Sequence, residues 1–259
     1  MKAGLKADLV ALSLAPDVDE LVKAGLVSKG WTKKPYKGMV TNSVVVFVLR
    51  EGNPKRIKSW NDLLKPGVEV VTPNPFTSGG ARWNIMAAYG AWRREGKTDL
   101  RAQANLLKLF KNVVVQDKSA RDSLNTFMSG KGDVLLAYEN EAMFSKLKGL
   151  DVQYVIPRST ILIENPVAVT RTTEHPKEAN AFLKFLTTPA AQQVFANNGY
   201  RPVVKSVLER NRKKFPVRPG EFTIDVRSIG GWTKAQKRFF HPKTGIMVRI
   251  ENAVGGDTG

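Results

Sequence analysis

The chain has 259 residues, with 41 Lys and Arg against 23 Asp and Glu, and a formal net charge of +18 at pH 7. Hydrophobic residues make up 42% of the chain, which is enough for a buried core and excludes wholesale disorder. The longest apolar run, residues 44–49, is far shorter than the roughly 20 residues that a membrane-spanning helix needs. There is no cysteine and there are only two histidines, His175 and His241, so disulfides, metal sites and a Ser-His-Asp triad are disfavoured.

Short β-branched runs alternate with amphipathic segments along the chain, and this pattern predicts α/β layers around a largely parallel sheet. The predicted strands are residues 9–12, 44–49, 68–71, 113–115, 134–137, 152–156 and 167–169. The predicted helices are residues 17–24, 81–94, 99–110, 176–186 and 189–197. Asp17 and Asp99 are the expected N-caps of the first and third helices, and Pro176 and Pro189 open the last two.

Two extended apolar stretches, residues 44–49 and 161–169, are the candidates for passing from one sheet to another. If both cross, the middle of the chain forms one lobe and the two ends together form the other. The expected division is one lobe made of residues 1–50 and 165–259, and a second lobe made of residues 51–164. The chain length suits two lobes of ordinary domain size.

The clearest chemical signal is a serine followed by two glycines, Ser78, Gly79 and Gly80, placed between a predicted strand and a predicted helix. A helix start leaves about four backbone N–H groups without intrahelical partners and carries roughly half a positive charge. Glycines let this backbone approach a ligand closely, and the serine hydroxyl adds a donor, so the segment has the chemistry of an anion site. The alternative is that Ser78 only caps the helix and the glycines form a tight turn.

Two further strand-to-helix corners have donor character. One strand leads through Ser119 into a helix that starts near Ala120, and another ends at Tyr138 and continues into Glu139 and Glu141. In an open α/β sheet, ligands bind beyond the carboxyl ends of the strands. The three corners can therefore converge on one small anion, with the two glutamates expected to act as a cap and as a salt-bridge partner.

Blocks of specific residues run in order along nearly the whole chain, and they resemble those of the sulfate/thiosulfate-binding proteins that serve ABC importers. They include Ser-Gly-Gly-Ala-Arg-Trp-Asn at 78–84 and Glu-Asn-Glu-Ala at 139–142. The others are residues 7–12, 52–55, 60–63, 65–68, 72–75, 132–135, 200–202, 222–225, 230–232 and 234–237.

This resemblance implies a two-lobed periplasmic-binding-protein fold of type II, with two hinge crossings, that holds a dehydrated sulfate between its lobes by hydrogen bonds. The implied ligand-binding residues are Ser78, Gly79, Gly80, Ala120 and Tyr138. It further implies a monomer in the periplasm or at the cell surface that delivers sulfate or thiosulfate to the permease of an ABC transporter. No catalysis, metal, cofactor or nucleic acid is expected.

The chain departs from the family pattern in three places. Tyr138 stands where the family has a tryptophan whose indole N–H donates to the anion, and Lys118 stands where a small residue is usual, with its side chain expected to point to solvent. The family also begins with a strand, a Gly-Gly-Ser-Gly helix start and a signal peptide. None of these features is present in this sequence. We therefore expect the lobe made of residues 1–50 and 165–259 to lack its first strand and helix, with impaired stability and binding.

Two other functions were weighed on the residues alone. The charge excess, including 13 Lys and Arg against three acidic residues within 201–250, favours a basic polyanion- or nucleic-acid-binding protein as the alternative. No nucleic-acid-binding module is apparent, however. A serine hydrolase would need a general base beside Ser78, and none is apparent. Among tetrahedral dianions, the sequence leaves sulfate, thiosulfate, molybdate and tungstate open.

Overall fold

The computed structural model describes residues 1, 3–150 and 152–258. The chain divides into two compact units, each made of two chain segments. Unit 1 comprises Met1–Ser43 and Glu164–Pro216, and unit 2 comprises Val44–Ile163 and Val217–Gly259. The chain passes from one unit to the other three times: at 43/44 and at 163/164, which lie at the two stretches predicted to cross, and at 216/217, where no crossing was predicted.

The described residues form short strands and helices in alternation. The strands are β1 (Leu9–Ala11), β2 (Met39–Leu49), β3 (Val70–Pro73), β4 (Val113–Asp117), β5 (Val134–Tyr138), β6 (Gln153–Val155), β7 (Ser159–Val169), β8 (Arg201–Pro202) and β9 (Gly220–Phe222). The helices are α1 (Ala15–Lys23), α2 (Gly79–Arg94), α3 (Asp99–Lys111), α4 (Ala120–Met128), α5 (Glu139–Leu147), α6 (Pro176–Leu186), α7 (Pro189–Asn197), α8 (Lys205–Arg210), α9 (Trp232–Phe239) and α10 (Ile246–Val254).

The predicted helices are confirmed to within about two residues, and the predicted strands are confirmed except that β2 begins at Met39 and β7 at Ser159, well before the predicted starts at 44 and 167. Two predicted N-caps are wrong. Helix α1 begins after Leu14, because a proline in its first turn already has the helical φ, and Asp17 therefore lies inside the helix. Helix α3 is capped by Thr98, whose hydroxyl accepts the N–H of Arg101 at 3.2 Å. Asp99 is the first residue of that helix, and its carboxylate is free to bind elsewhere.

The centre of unit 2 is a parallel group of three strands. Strand β3 lies between β5 and β4 and runs parallel to both. The connections between these strands contain α2 to α4, because a parallel pair requires a crossover. Strand β2 pairs antiparallel with β5 and β6 in unit 2, and with β8 in unit 1. The prediction of a largely parallel sheet therefore holds for β3, β4 and β5 and is wrong for β2.

The core of unit 2 is dense in aromatic rings. Trp60, Trp83 and Trp92 are almost fully buried. Trp232, on α9, is half-buried and packs edge-on against Trp83 with ring centroids 4.7 Å apart, as a helix-packing aromatic. Truncating a buried ring of this size costs about 3–5 kcal/mol, so these residues fix the position of α2.

Residues 217–259 belong to unit 2, whereas the sequence assigned them to the lobe formed by the chain ends. Strand β9 runs parallel to β7, and the ring of Phe222 packs so closely on α2 that a Cβ at Gly90 would lie 2.3 Å from it. The guanidinium of Arg238 forms an ion pair with Asp99. These contacts join side chains that are distant in sequence, and no local pattern predicts them.

Unit 1 packs its helices around shorter strands. Strand β1 pairs antiparallel with β7, and α7 is fixed by Gln192, which is fully buried. The amide of Gln192 donates to the carbonyls of Val40 and Leu186, both at 2.8 Å, and accepts the N–H of Val203. Within the described residues, no helix of either unit is both long and apolar enough to cross a membrane.

A buried carboxyl lies in unit 2 between α10 and β4. Glu251 is fully buried, and the side-chain amide of Gln116 donates to its Oε2 at 2.8 Å. The other carboxyl oxygen, Oε1, has no hydrogen-bond partner in the described part of the chain. Burial raises the pKa of the Glu251 carboxyl, the hydrogen bond from Gln116 opposes this, and the charge of Asp257 raises the pKa further.

We expect Glu251→Gln to lessen the loss of stability at rising pH. Because the pKa is raised on folding, the stability that protonated Glu251 provides is present below the ordinary glutamate pKa and is lost as pH rises through the folded value. A neutral amide keeps the shape without the ionisation. The Tm of the wild-type chain should therefore fall more than that of the variant between about pH 4 and about pH 8.

Glu209→Gln, at an exposed position on α8, is the control. Equal pH responses of the wild type and Glu251→Gln would contradict the prediction.

Candidate anion-binding site

Three helices of unit 2 begin at the same edge of the sheet. Strands β5, β3 and β4 are parallel, and each leads into a helix: β3 into α2, β4 into α4 and β5 into α5. Parallel strands end at one edge, so the N-termini of the three helices lie together. Each helix start contributes roughly half a positive charge and unpaired N–H groups.

The structure brings the predicted site residues together at this edge. A Cβ built on Gly80 would lie 3.4 Å from the Cβ of Ala120, 3.4 Å from the hydroxyl of Ser78 and 3.6 Å from Cε1 of the Tyr138 ring. Gly79, the first residue of α2, is the chain neighbour of Gly80. The three predicted corners therefore meet around the space that a side chain at position 80 would fill.

Ser78 occupies the N-cap position of α2, but its side chain forms no cap hydrogen bond. The residue is 8% exposed, so it is largely shielded from bulk water. Neither Gly79 nor Gly80 has a positive φ, so no left-handed turn requires a glycine at these positions. Side-chain capping and turn geometry therefore leave Ser78 and Gly80 unexplained, whereas close approach to a ligand accounts for both.

Ser119, at the start of α4, behaves differently from Ser78. Its hydroxyl accepts the N–H of Asp122 at 3.2 Å and donates to the Asp122 carboxylate at 2.7 Å, which is a complete side-chain cap. Because the Ser119 side chain is occupied in this way, the chemistry at this corner is left to backbone groups such as the N–H of Ala120. Lys118, just before it, is exposed, as the sequence predicted.

Tyr138 ends β5 and occupies the N-cap position of α5, half-buried and without a side-chain cap. Of the two glutamates that follow, Glu141 forms the expected salt bridge, with Arg121 at 3.0 Å. Burial raises the pKa of Glu141, and the charge of Arg121 lowers it. Glu139 is fully buried as the first residue of α5. The first turn of α2 contains no acidic residue, so its positive end is not neutralised locally.

Residues that the sequence analysis did not single out hold the corners in register. The backbone N–H of Asn74 donates to the carbonyl of Asp117 at 2.8 Å, and the hydroxyl of Thr77 donates to the carbonyl of Lys118 at 2.9 Å. These two bonds join the β3–α2 loop to the β4–α4 loop. The side-chain amide of Asn74 also donates to the carbonyl of Asp257, near the C-terminus, at 2.8 Å.

Helix α2 is fixed over the sheet by one buried amide. The side chain of Asn84 donates to the hydroxyl of Thr72 on β3 and to the carbonyl of Leu136 on β5, both at 3.1 Å. Arg82 donates through Nε to the carbonyl of Pro75 at 2.9 Å and so shapes the loop before the helix. Both residues lie in the Ser-Gly-Gly block, which was the available signal. In the part of the chain that the structure describes, no cluster of three His, Asp or Glu side chains could hold a metal.

Parallel strands that lead into three helix starts, in a chain divided into two discontinuous units, define a protein of the solute-binding class. The family described as bacterial extracellular solute-binding protein matches residues 1–201, and the chain belongs to this family. Its fold is the type II periplasmic-binding-protein fold, as predicted.

Individual relatives are more specific. The chain is 45% identical to the sulfate-binding protein of Synechococcus elongatus, over 98% of this chain and 73% of that protein. It is 38% identical to the thiosulfate-binding protein of Pseudomonas aeruginosa, over 92% of this chain and 74% of that protein. The solved structure of the sulfate-binding protein SubI from Mycobacterium tuberculosis H37Rv matches with a TM-score of 0.89 and 41% identity, over 93% of this chain and 83% of that one. The predicted relationship to these proteins is confirmed.

We expect Gly80→Ala to fold but to bind anions at least about tenfold more weakly, a loss of about 1.4 kcal/mol. The added methyl would meet its neighbours at 3.4–3.6 Å, which is van der Waals contact without gross overlap, and would occupy the space between the three corners. Titration calorimetry with sulfate and a thermal melt measure the two effects.

Gly30→Ala in unit 1 is the matched control for this substitution. Its added Cβ would lie 3.7 Å from the nearest atom, the hydroxyl of Ser28, and its φ of −86° suits alanine. This control should leave sulfate affinity unchanged. Unchanged affinity in Gly80→Ala would show that the space around position 80 is not the binding site.

Proposed function

We propose that this protein captures sulfate or thiosulfate through hydrogen bonds from helix N-termini and delivers the anion to the permease of an ABC transporter. The observation that carries the proposal is the convergence of three helix starts around Gly80, where Ala120, Ser78 and Tyr138 lie within 3.6 Å of one point. The ligand-binding groups are the hydroxyls of Ser78 and Tyr138 and the backbone N–H groups of Gly79, Gly80 and Ala120. The names of the relatives support the same ligand class.

Donor chemistry favours sulfate over phosphate at such a site. Sulfate is fully ionised at neutral pH and accepts hydrogen bonds only, whereas phosphate retains a proton that needs an acceptor. A buried donor or acceptor without a partner costs about 1–3 kcal/mol, so a site built from N–H and O–H groups disfavours the protonated anion. Distributing the ligand charge over helix ends also avoids the desolvation of a full counter-charge, which is expensive in a protein interior.

We propose that the protein acts outside the cytoplasm, as a monomer, and catalyses no reaction. The family membership supports the location, since its members are extracellular solute-binding proteins. In unit 2 the ring of His241 is exposed and accepts, through Nδ1, the N–H groups of Lys243 and Thr244 in its own turn. We therefore assign His241 a structural role in its own turn and not the role of a general base for Ser78. The relatives support solute transport and lend no support to polyanion binding.

The test is thermal unfolding of the chain in chloride buffer with sulfate, thiosulfate, molybdate or phosphate added singly. An anion at one hundred times its Kd stabilises the folded state by about 2.7 kcal/mol, so sulfate or thiosulfate should raise the Tm clearly and more than phosphate does. Nucleic-acid binding would weaken steeply with salt, whereas a buried sulfate site should not. A cooperative melt that neither sulfate nor thiosulfate shifts would contradict the proposal.

Two serine variants separate ligand binding from helix capping. Ser78→Ala removes a hydroxyl that makes no cap bond, so we expect an approximately tenfold loss of sulfate affinity with little change in the Tm without ligand. Ser119→Ala removes a complete cap and should destabilise the chain by about 1 kcal/mol, with a smaller effect on affinity. Calorimetry and melts of both variants check this pattern, and the reverse pattern would assign the ligand contact to Ser119.

A further inference from the structure

Apart from the candidate site at the helix starts, unit 2 has a cavity of about 540 Å³ that lies between α2, the start of α3, α9 and residues 226–228. Three arginines line it, Arg93, Arg227 and Arg238, against one carboxylate, that of Asp99. None of these residues belongs to the candidate site at the helix starts. The charged groups of the cavity wall thus sum to two positive charges.

The single carboxylate of the cavity is already occupied. Asp99 accepts hydrogen bonds from the hydroxyl of Tyr89 at 2.5 Å, from the amide of Gln103 at 2.8 Å and from the guanidinium of Arg238. Burial is the largest single effect on the Asp99 carboxyl and raises its pKa. The hydrogen bonds from Arg238, Tyr89 and Gln103 and the charge of Arg238 lower the pKa by more in total, so that it lies below its ordinary value. Asp99 therefore neutralises Arg238 and has little capacity left for the other two arginines.

Arg93 and Arg227 have no carboxylate partner among residues 1, 3–150 and 152–258. Arg93 donates one N–H from Nη1 to the carbonyl of Lys97 at 3.0 Å, and its Nε is buried without an acceptor. The hydroxyl of Ser228 is likewise buried without a partner in the described chain. Buried donors without acceptors are costly, and a guanidinium is suited to paired oxygens of a phosphate or a carboxylate.

We infer that this cavity is a second anion-binding site, which takes the dianionic head of a phosphate monoester. The two uncompensated arginines match the charge of that head, and their guanidinium N–H groups supply the donors. Val226, which is half-buried, provides apolar surface for the organic part. The volume exceeds what an inorganic tetrahedral ion fills and lies in the range of sites for small organic ligands.

The two sites should respond differently to salt and to the kind of anion. Arg227 is exposed, so the attraction at the second site is screened by salt, whereas hydrogen bonds at a buried site are not. Guanidinium groups do not require the ligand to be fully deprotonated, and the second site should accept phosphate esters that the donor-only site disfavours.

The experiment is titration calorimetry of the full chain with phenyl phosphate at low and high chloride concentration. We expect a Kd of about 1 mM or lower in about 20 mM chloride, and at least about fivefold weaker binding in about 200 mM chloride. Arg93→Gln combined with Arg227→Gln should weaken binding at least about tenfold, and Arg227→Gln alone, at an exposed position that does not endanger folding, about threefold. No binding by the wild-type chain would overturn the inference.

Two controls identify the site. Arg94→Gln removes the same charge from the neighbouring position of α2, where the side chain is exposed and does not line the cavity, and should change the Kd less than about twofold. Gly80→Ala should leave phenyl phosphate binding intact, while Arg227→Gln leaves sulfate binding intact. An effect of Arg94→Gln equal to that of Arg227→Gln would mean that only the overall charge of the protein attracts the ligand, and the proposed site would be wrong.

Discussion

The parallel pairing of β3 with both β4 and β5 is the constraint on which the candidate site depends. Because the three strands run in one direction, the helices that follow them must begin at one edge, and their unpaired N–H groups point to a common place. The local sequence then decides how each start is used. Ser119 caps its own helix, whereas the Ser78 side chain does not, and Gly80 leaves a space that any side chain would fill. The order and direction of the strands thus bring the three helix starts together, and the absence of a side chain at Gly80 leaves space between them.

Unit 2 contains two candidate anion sites that differ in their chemistry, one at the helix starts and one in the arginine-lined cavity. At the helix starts, partial charges and neutral donors surround the proposed anion position, and the nearby Lys118 is exposed to solvent. In the arginine-lined cavity, full charges face each other, and Asp99 compensates only one of three. The first arrangement is proposed to distinguish ligands by protonation and to resist screening, and the second to distinguish them mainly by charge and to be sensitive to salt. The net charge of +18 therefore does not describe the binding chemistry by itself.

Local patterns predicted seven strands, the bounds of five helices and the three strand-to-helix corners of the candidate site, because those features depend on neighbours in sequence. The crossing at 44–49 could be recognised because six consecutive apolar residues suit a strand buried on both faces. Asp99 could not be assigned correctly, since its partners are a tyrosine ten residues away and an arginine on α9. The same holds for residues 217–259, which pack against β7, α2 and α3, and for the bond from Thr77 to the neighbouring loop.

The bond from Asn74 to the carbonyl of Asp257 connects the last residues of the described chain to the loop that precedes α2. Gly256 packs tightly against α10, since a Cβ there would come within 2.0 Å of the Glu251 carboxylate. A purification tag or reporter fused after Asp257 would therefore disturb the β3–α2 loop, which positions Ser78. Immobilisation chemistry and fluorescent labels are better attached to α6 or α8 of unit 1, where exposed lysines such as Lys184 and Lys205 are not bonded to the loops of the site.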